Sequence, residues 1–539
     1  MSSEESQTLS ADSAVEPPKN EHSKKAAKEE AAEQETRRRR QEAAALASTV
    51  QSISFEDDPL AANYGDVPFQ ELQSKVDVRD RTDVGALTKE LRDRYVLVHG
   101  RAQEIRAVEK NMAFLVVREK CFTVQCVVTA QPDVVSRQMV KYVAALSPES
   151  IVDIEGVVSV PTVPIKGVTQ QVEVQVQKLH CVSRAEPLPF KIEDAARSEA
   201  DIEKALQAGE LVVRVNPDTR LNCRFLELRA PGNQAILRVQ CQVENVFRKF
   251  LSFKRFIEVR TSKLLVDANE GGASSIELDF EGQPACLVQL PQLHKQMAIF
   301  GSKRVFKIGP VFRVEDLDTR QLREFIGLDV EMEIEHYFEV MDIVDQLFVK
   351  MFDTLYDNPS KELEALGRLY PFEPLKYLRK TLRLTFEEGI QMLKDAGVQV
   401  DPFGDINTEI KRKLGQLVLE KYGTEFYILH RYPLAIRPFY TMPCDDNPVY
   451  SNSFDAFIRG EEIISGAQRV HVPEFLVERA QACGFDVMTI STYINSFRCD
   501  ALPHGGFGVG LDRVMMLLFG LNDIQKTTLF PCNPLRLAS

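Results

Sequence analysis

The sequence predicts an α+β protein in two folded parts: a small β-barrel, then a larger domain built on an antiparallel β-sheet flanked by helices. Two observations carry this. Five short β-branched runs crowd residues 95–183, with a helical stretch before the fourth. After about residue 218 strands and helices mix to the C-terminus without a repeating βαβ rhythm, which leaves an antiparallel α+β domain. At 539 residues the chain is too long for one core.

Residues 1–62 are mostly Ala, Glu, Lys, Arg and Ser, and they bury too little apolar surface to offset the entropy of ordering. They read as a disordered or conditionally helical tail. Within it Ser23–Ala45 holds strong helix formers and two basic clusters, either a solvated, salt-bridged tail or an RNA-contacting arm. Residues 63–186 hold the runs YVLVHGRAQEIR, MAFLVVRE, FTVQCVVT, SIVDIEGVVSV and QQVEVQVQKLHCVS, the pattern of an OB-fold barrel. Residues 187–225, with Pro187 and Pro189 at the start, read as a hinge. The remaining 226–539 open on an amphipathic helix, with Ile236, Val239, Val243, Val246, Phe247 and Phe250 at helical spacing. The strand-like FIEVRTSKLL follows.

Composition narrows the function classes. Hydrophobic content of 44% and charged content of 27% are those of a soluble globular chain. No apolar run of about 18 residues occurs, so no membrane span is expected. The start MSSEESQ lacks both a secretory h-region and an Arg-rich presequence, so the cytoplasm is expected. The 10 cysteines form no CxxC pair, which speaks for reduced structural thiols over zinc. A net charge of −13 argues against whole-surface nucleic-acid binding but leaves room for a local basic groove. No GxGxxG and no GxxxxGK[ST] occurs, so any ATP site needs another scaffold.

Three ordered stretches then stand out: the long helix with FIEVRTSKLL and NEGG, FKIGPVFRVEDLDTRQLREFIGLDVEME (Phe306–Glu333), and HGGFGVGLDRVMMLLFG (His504–Gly520). Between them lie QLPQLHKQ (Gln289–Gln296), RPFYTMP (Arg437–Pro443) and YSNSFDAFIRGEEIISGAQRVH (Tyr450–His471). Together they resemble motifs 1, 2 and 3 of class II aminoacyl-tRNA synthetases, in the aspartate-specific branch of eukaryotic and archaeal type. The likeness covers nearly all of the chain from residue 64.

The resemblance implies an OB-fold anticodon-binding domain and a class II catalytic domain that uses ATP and Mg²⁺ to load L-aspartate onto tRNA(Asp). Forming the adenylate brings two anions together, so cations must orient them. Arg313 is implied as the α-phosphate ligand, and guanidinium suits bidentate contact. Glu315 is implied near the adenine amino group, Phe325 and Arg513 on the two adenine faces, and Arg513 also at the γ-phosphate. The glycines Gly506, Gly508 and Gly510 would let the backbone approach the nucleotide closely. Asp455 and Glu462 are the implied Mg²⁺ ligands, with Ser465 nearby. Lys295 and Arg469 would grip the substrate side-chain carboxylate, favouring aspartate over asparagine. Gln292 and Asp329 line the same pocket, Asp329 near the substrate ammonium, and Glu270 belongs to the loop that closes over the substrate. In the barrel Phe114 would stack on an anticodon base while Arg106, Gln125 and Glu173 read base edges; barrel core is the other reading of Phe114. Motif 1 implies a homodimer through its helix and strand. Whether the tail joins a multi-synthetase assembly stays open.

The chain departs from the family pattern at Ser262, Leu290, Gln321, Cys499, Phe507 and Asp512, of which Leu290 and Phe507 are expected to add bulk near the pocket. The retained Arg313, Glu462, Arg469 and Arg513 favour an active but divergent enzyme over a non-catalytic tRNA-binding paralogue with a regulatory role.

Overall fold

The computed structural model describes residues 58–68, 80–265, 276–288, 292–314, 320–357, 361–499 and 501–532. The tail up to residue 57 and the positions Glu270, Leu290 and Glu315 lie outside the described residues. The chain divides into two units, Met1–Lys191 and Ile192–Ser539. No helix of the described residues is long and apolar enough to cross a membrane.

In the first unit a short β1 (Tyr64–Asp66) precedes the meander β2 (Tyr95–Glu109), β3 (Met112–Glu119) and β4 (Phe122–Thr129). Helix α1 (Arg137–Ala144) leads into β5 (Ile151–Ser159) and β6 (Glu173–Ser183). β5 pairs with both β2 and β6, and β6 runs parallel to β4, so five strands close into a barrel. Alternation explains the core: Ala113, Leu115 and Val117 are fully buried inside, while Phe114 between them is half-buried on the outer face. Ser136 caps α1 by accepting the Met139 N–H, and the helix sinks Met139, Val140, Tyr142 and Val143 into that core.

The second unit starts its sheet after α2 (Pro231–Phe253), the amphipathic helix read from the sequence, whose Ile236, Val239, Val243 and Phe247 are buried. Its strands are β7 (Ile257–Glu258), β11 (Arg304–Phe312), β12 (Glu324–Glu333), β13 (Leu382–Thr385), β14 (Phe426–His430), β15 (Ser453–Ile458), β16 (Glu461–Gln468) and β17 (His504–Gly510). They lie in the order β13-β14-β15-β16-β17-β12-β11-β7, antiparallel from β14 to β11 and parallel at both edges. A separate small sheet holds β8 (Leu264–Leu265), β9 (Glu277–Phe280) and β10 (Gln283–Leu287). The run FIEVRTSKLL is therefore not one strand. Its start pairs with β11 and its end with β10, so the chain leaves one sheet for the other between them.

Four further helices place the site. α3 (Gln292–Ser302) packs on β11 and β12, and α4 (Phe338–Tyr356) and α6 (Leu511–Leu518) cover one face of the large sheet. α2 stacks on α4 through Phe247 and Phe348, with ring centroids 5.8 Å apart. On the other face α5 (Thr408–Tyr422) covers the β13–β15 end and the start of β16, through Leu414 and Val418 against Tyr427, Leu429 and Phe457. The floor over the rest of β16, and over β17 and β12, stays open.

Candidate active site

That open floor is a cleft of about 350 Å³. Residues directly opposite in an antiparallel sheet share a face. The register Asp455–Ser465–Gly508–Asp329 therefore sets these positions in one row across four strands, and Ala467–Gly506–Glu331 in the next. Period-2 alternation along β12 adds Phe325 and Gly327 to the same floor.

At one end cations and anions are paired. Lys295 on α3 donates to Asp329 at 3.1 Å and lies 3.8 Å from Glu331. Arg469 grips Glu331 with Nε and Nη2 at 3.0 and 3.3 Å, and its guanidinium sits 5.5 Å from the Tyr440 ring. Gln292 donates to Gln296 at 3.0 Å and reaches Glu331 at 3.4 Å. Burial would push the fully buried Glu331 carboxyl up, but the Arg469 and Lys295 charges beside it hold it below the usual carboxylate range. Burial also opposes charge on Arg469, and Glu331 more than offsets it. Glu331 was not foreseen as a site residue, although its spacing of two from Asp329 on one strand carries the signal.

At the other end Arg313 lies 5.4 Å from the centroid of the Phe325 ring. Gly510 leaves a slot: a Cβ there would touch Phe325 and the Arg513 Cβ at 3.9 and 3.8 Å. Gly506 is bare for a local reason as well. A Cβ there would fall 2.0 Å from the Val330 carbonyl oxygen and 2.3 Å from a Glu331 carboxylate oxygen, so its bareness makes room for both.

Asp455 and Glu462 come together through a bulge. Asp455 opposes Ser465, whereas Phe457 opposes Glu462, so Ile463 is the extra residue and Glu462 turns onto the Asp455 face. Arg437 binds Asp455 Oδ2 at 2.8 Å and Ser465 Oγ at 3.2 Å, and Lys411 binds Glu462 at 2.9 Å. Burial and the Asp455 charge raise the Glu462 carboxyl above its ordinary value despite Lys411. Lys411 arrives because α5 sits directly on the β15–β16 turn. A Cβ on Gly415 would lie 2.5 Å from the Gly460 Cα, a contact only glycine permits.

Among the described residues no group of three or more His, Cys, Asp or Glu side chains could hold a metal alone. Asp455 and Glu462 nonetheless suit Mg²⁺, which takes one or two protein carboxylates and fills the rest with phosphate and water oxygens. The buried Asp455 Oδ1 has no hydrogen-bond partner among the described residues, an acceptor left over for such a shell.

The departures from the family pattern fall in different places. Gln321 lines the cleft. Phe507 does not crowd it, contrary to expectation: it opposes Gly466 and Val330 and is fully buried on the face under the helices. With the Phe454 ring it fills the space that Gly466 leaves, where a Cβ would fall 2.3 Å from that ring and 2.9 Å from the Phe507 Cβ. Phe507→Ala should therefore cost about 3–5 kcal/mol of stability in chemical denaturation, with KM for the amino acid unchanged. Asp512 is buried and braces the floor, accepting from the Ile326 N–H at 2.9 Å and the Thr527 hydroxyl at 3.0 Å. Ser262 and Cys499 are exposed and lie outside the cleft lining.

The barrel carries a second candidate surface. Arg106 opposes Phe114 and Gln125 opposes Glu173, all on its outer face. Gln125 donates to Glu173 at 2.7 Å, and Arg106 lies 3.2 Å from Glu104. Phe114 is outside the barrel core, which removes the packing alternative.

An antiparallel sheet with a cleft of arginines over it and no phosphate loop is the scaffold of the class II synthetases, and the family model for tRNA synthetases class II (D, K and N) matches residues 216–534. The cytoplasmic aspartate–tRNA ligase 2 of Arabidopsis thaliana is 58% identical, over 90% of this chain and 90% of the relative. The human cytoplasmic aspartate–tRNA ligase is 46% identical, over 87% and 93%. The solved aspartyl-tRNA synthetase of Entamoeba histolytica superposes with a TM-score of 0.82 at 41% identity, over 88% of this chain and 96% of that one. This chain belongs to the aspartate–tRNA ligase family of class II tRNA synthetases.

Proposed function

We propose that the protein activates L-aspartate with ATP and Mg²⁺ and transfers it to the 3′ end of tRNA(Asp) in the cytoplasm. The observation that carries this reading is the charge layout of one cleft. Buried Lys295 and Arg469 mark one end, and Arg313, Arg320 and Arg513 the other. A zwitterionic aspartate exchanges the internal ion pairs for its own: side-chain carboxylate to Lys295 and Arg469, ammonium to Asp329. Its α-carboxylate is already ionised and needs no general base. It attacks the α-phosphate in line, and pyrophosphate leaves toward Arg513. Arg313 steadies the charge that builds on the α-phosphate, and Phe325 holds the adenine over the Gly510 slot. Mg²⁺, held by Asp455 and Glu462, would neutralise the phosphate oxygens. A terminal ribose hydroxyl of the tRNA then displaces AMP from the adenylate.

The test is aminoacylation. Purified protein with tRNA(Asp), ATP and Mg²⁺ should form aspartyl-tRNA and release AMP, and RNA binding with no ester formed would favour the regulatory alternative.

The barrel face is proposed to hold the anticodon by stacking on Phe114 and edge contacts from Arg106, Gln125 and Glu173. Phe114→Ala should weaken tRNA binding by about 1–3 kcal/mol in a filter-binding titration and leave tRNA-independent exchange unchanged. A homodimer through α2 and β7 is also proposed, because β7 lies at the sheet edge beside exposed Phe253 and Ile257.

A further inference from the structure

Glu461 begins β16, beside the metal-ligand candidate Glu462, and none of the steps above uses it. It is nonetheless the meeting point of arginines from three elements. Its Oε1 accepts from Arg320, which precedes β12, and from Arg412 Nε on α5 at 3.1 Å. Its Oε2 lies 3.8 Å from Arg513 Nη2 on α6. The residue is 5% exposed. Arg320 and Arg513 line the cleft, and Glu461 and Arg412 stand behind them.

Charge and hydrogen bonding both bear on its purpose. A lone carboxylate behind an anion site would repel the triphosphate, but with three guanidinium groups the cluster is net positive. Neither Glu461 Oε2 nor Arg513 Nε has a hydrogen-bond partner among the described residues. Arg513 is thus drawn toward Glu461 by charge without being locked, and its donors remain for a phosphate. Arg320 is fixed more firmly, by a charge-assisted hydrogen bond.

We propose that Glu461 is a positioning residue for the triphosphate, holding Arg320 and Arg513 where the leaving pyrophosphate is bound. The inference rests on the adenylation reading above and assigns a role to a residue that touches no substrate. Holding two long side chains in place before binding spares the ligand the cost of ordering them.

The experiment compares wild type with Glu461→Gln, which keeps the shape and removes the charge. Glu461→Gln should raise KM for ATP, and for pyrophosphate in the reverse reaction, by about tenfold or more, with KM for aspartate within about twofold. In an Arg320→Leu background the same change should cost clearly less, because its effect passes through that arginine. Equal rises in both KM values, or full additivity with Arg320→Leu, would overturn the proposal. Should Glu461→Gln not fold, Glu461→Asp keeps the charge, withdraws it by one methylene, and must show the same ATP-selective pattern. Calorimetric titration of MgATP without amino acid is read alongside. Wild type that binds MgATP but shows no aspartate-dependent exchange would sink the functional reading while leaving this comparison of ATP affinities intact.

Discussion

Arg313→Ala should lower aspartate-dependent ATP–pyrophosphate exchange by about three orders of magnitude, with little change in thermal unfolding. The reason lies in where the charge appears. In the transition state the α-phosphate carries negative charge between an incoming carboxylate and a departing pyrophosphate, and Arg313 is the proposed cation at that point. Its backbone N–H donates to the Arg323 carbonyl at 2.8 Å, which ties the end of β11 to the chain entering β12. Its side chain lies 5.4 Å from the Phe325 ring centroid, and both residues line the cleft. Arg313→Lys should restore only part of the rate, because an ammonium cannot make the planar bidentate contact. A loss below about tenfold for Arg313→Ala would remove Arg313 from the reaction.

Arg469→Met is expected to do double damage, and the two parts can be separated. Removing the guanidinium takes away a cation that grips the substrate, and it largely strands Glu331, which is fully buried and keeps only the Lys295 cation, at 3.8 Å. Breaking a buried pair from one side costs about 3–5 kcal/mol, so the variant should unfold at markedly lower denaturant. The double variant Arg469→Met with Glu331→Gln removes the stranded charge and should recover most of that stability. It should not recover the use of aspartate, for which kcat/KM stays about a thousandfold down. Recovery of both would mean that Arg469 serves only the fold.

The parts of this molecule that follow local rules were legible in the sequence. The barrel strands alternate and are β-branched, and α2 shows its buried stripe, because period and propensity are local properties. Lys295, Arg469, Arg313 and Phe325 could be singled out as motif positions, and the structure brings them to one cleft. What escaped depends on register. Phe507 was expected beside the pocket, yet one step along β17 from Gly508 puts it on the opposite face. Glu462 reaches the Asp455 face only through the bulge at Ile463, which no spacing of seven residues announces. Arg437, Lys411 and Glu461 were missed because each pairs with a residue on another element, and a single chain gives no sign of that pairing, whereas Glu331 could have been read from its place two residues beyond Asp329 on the same strand.

The central claim is that this cleft selects a second carboxylate, and parallel exchange assays with aspartate and asparagine test it most directly. Asparagine has the size of aspartate but cannot pair with Lys295 and Arg469, and it would leave both cations without a counterion from the substrate. The layout predicts a kcat/KM for aspartate about 10⁴-fold or more above that for asparagine, since a site built for a charged group rejects the analogue lacking it. Comparable exchange with the two amino acids, or exchange with asparagine alone, would contradict it.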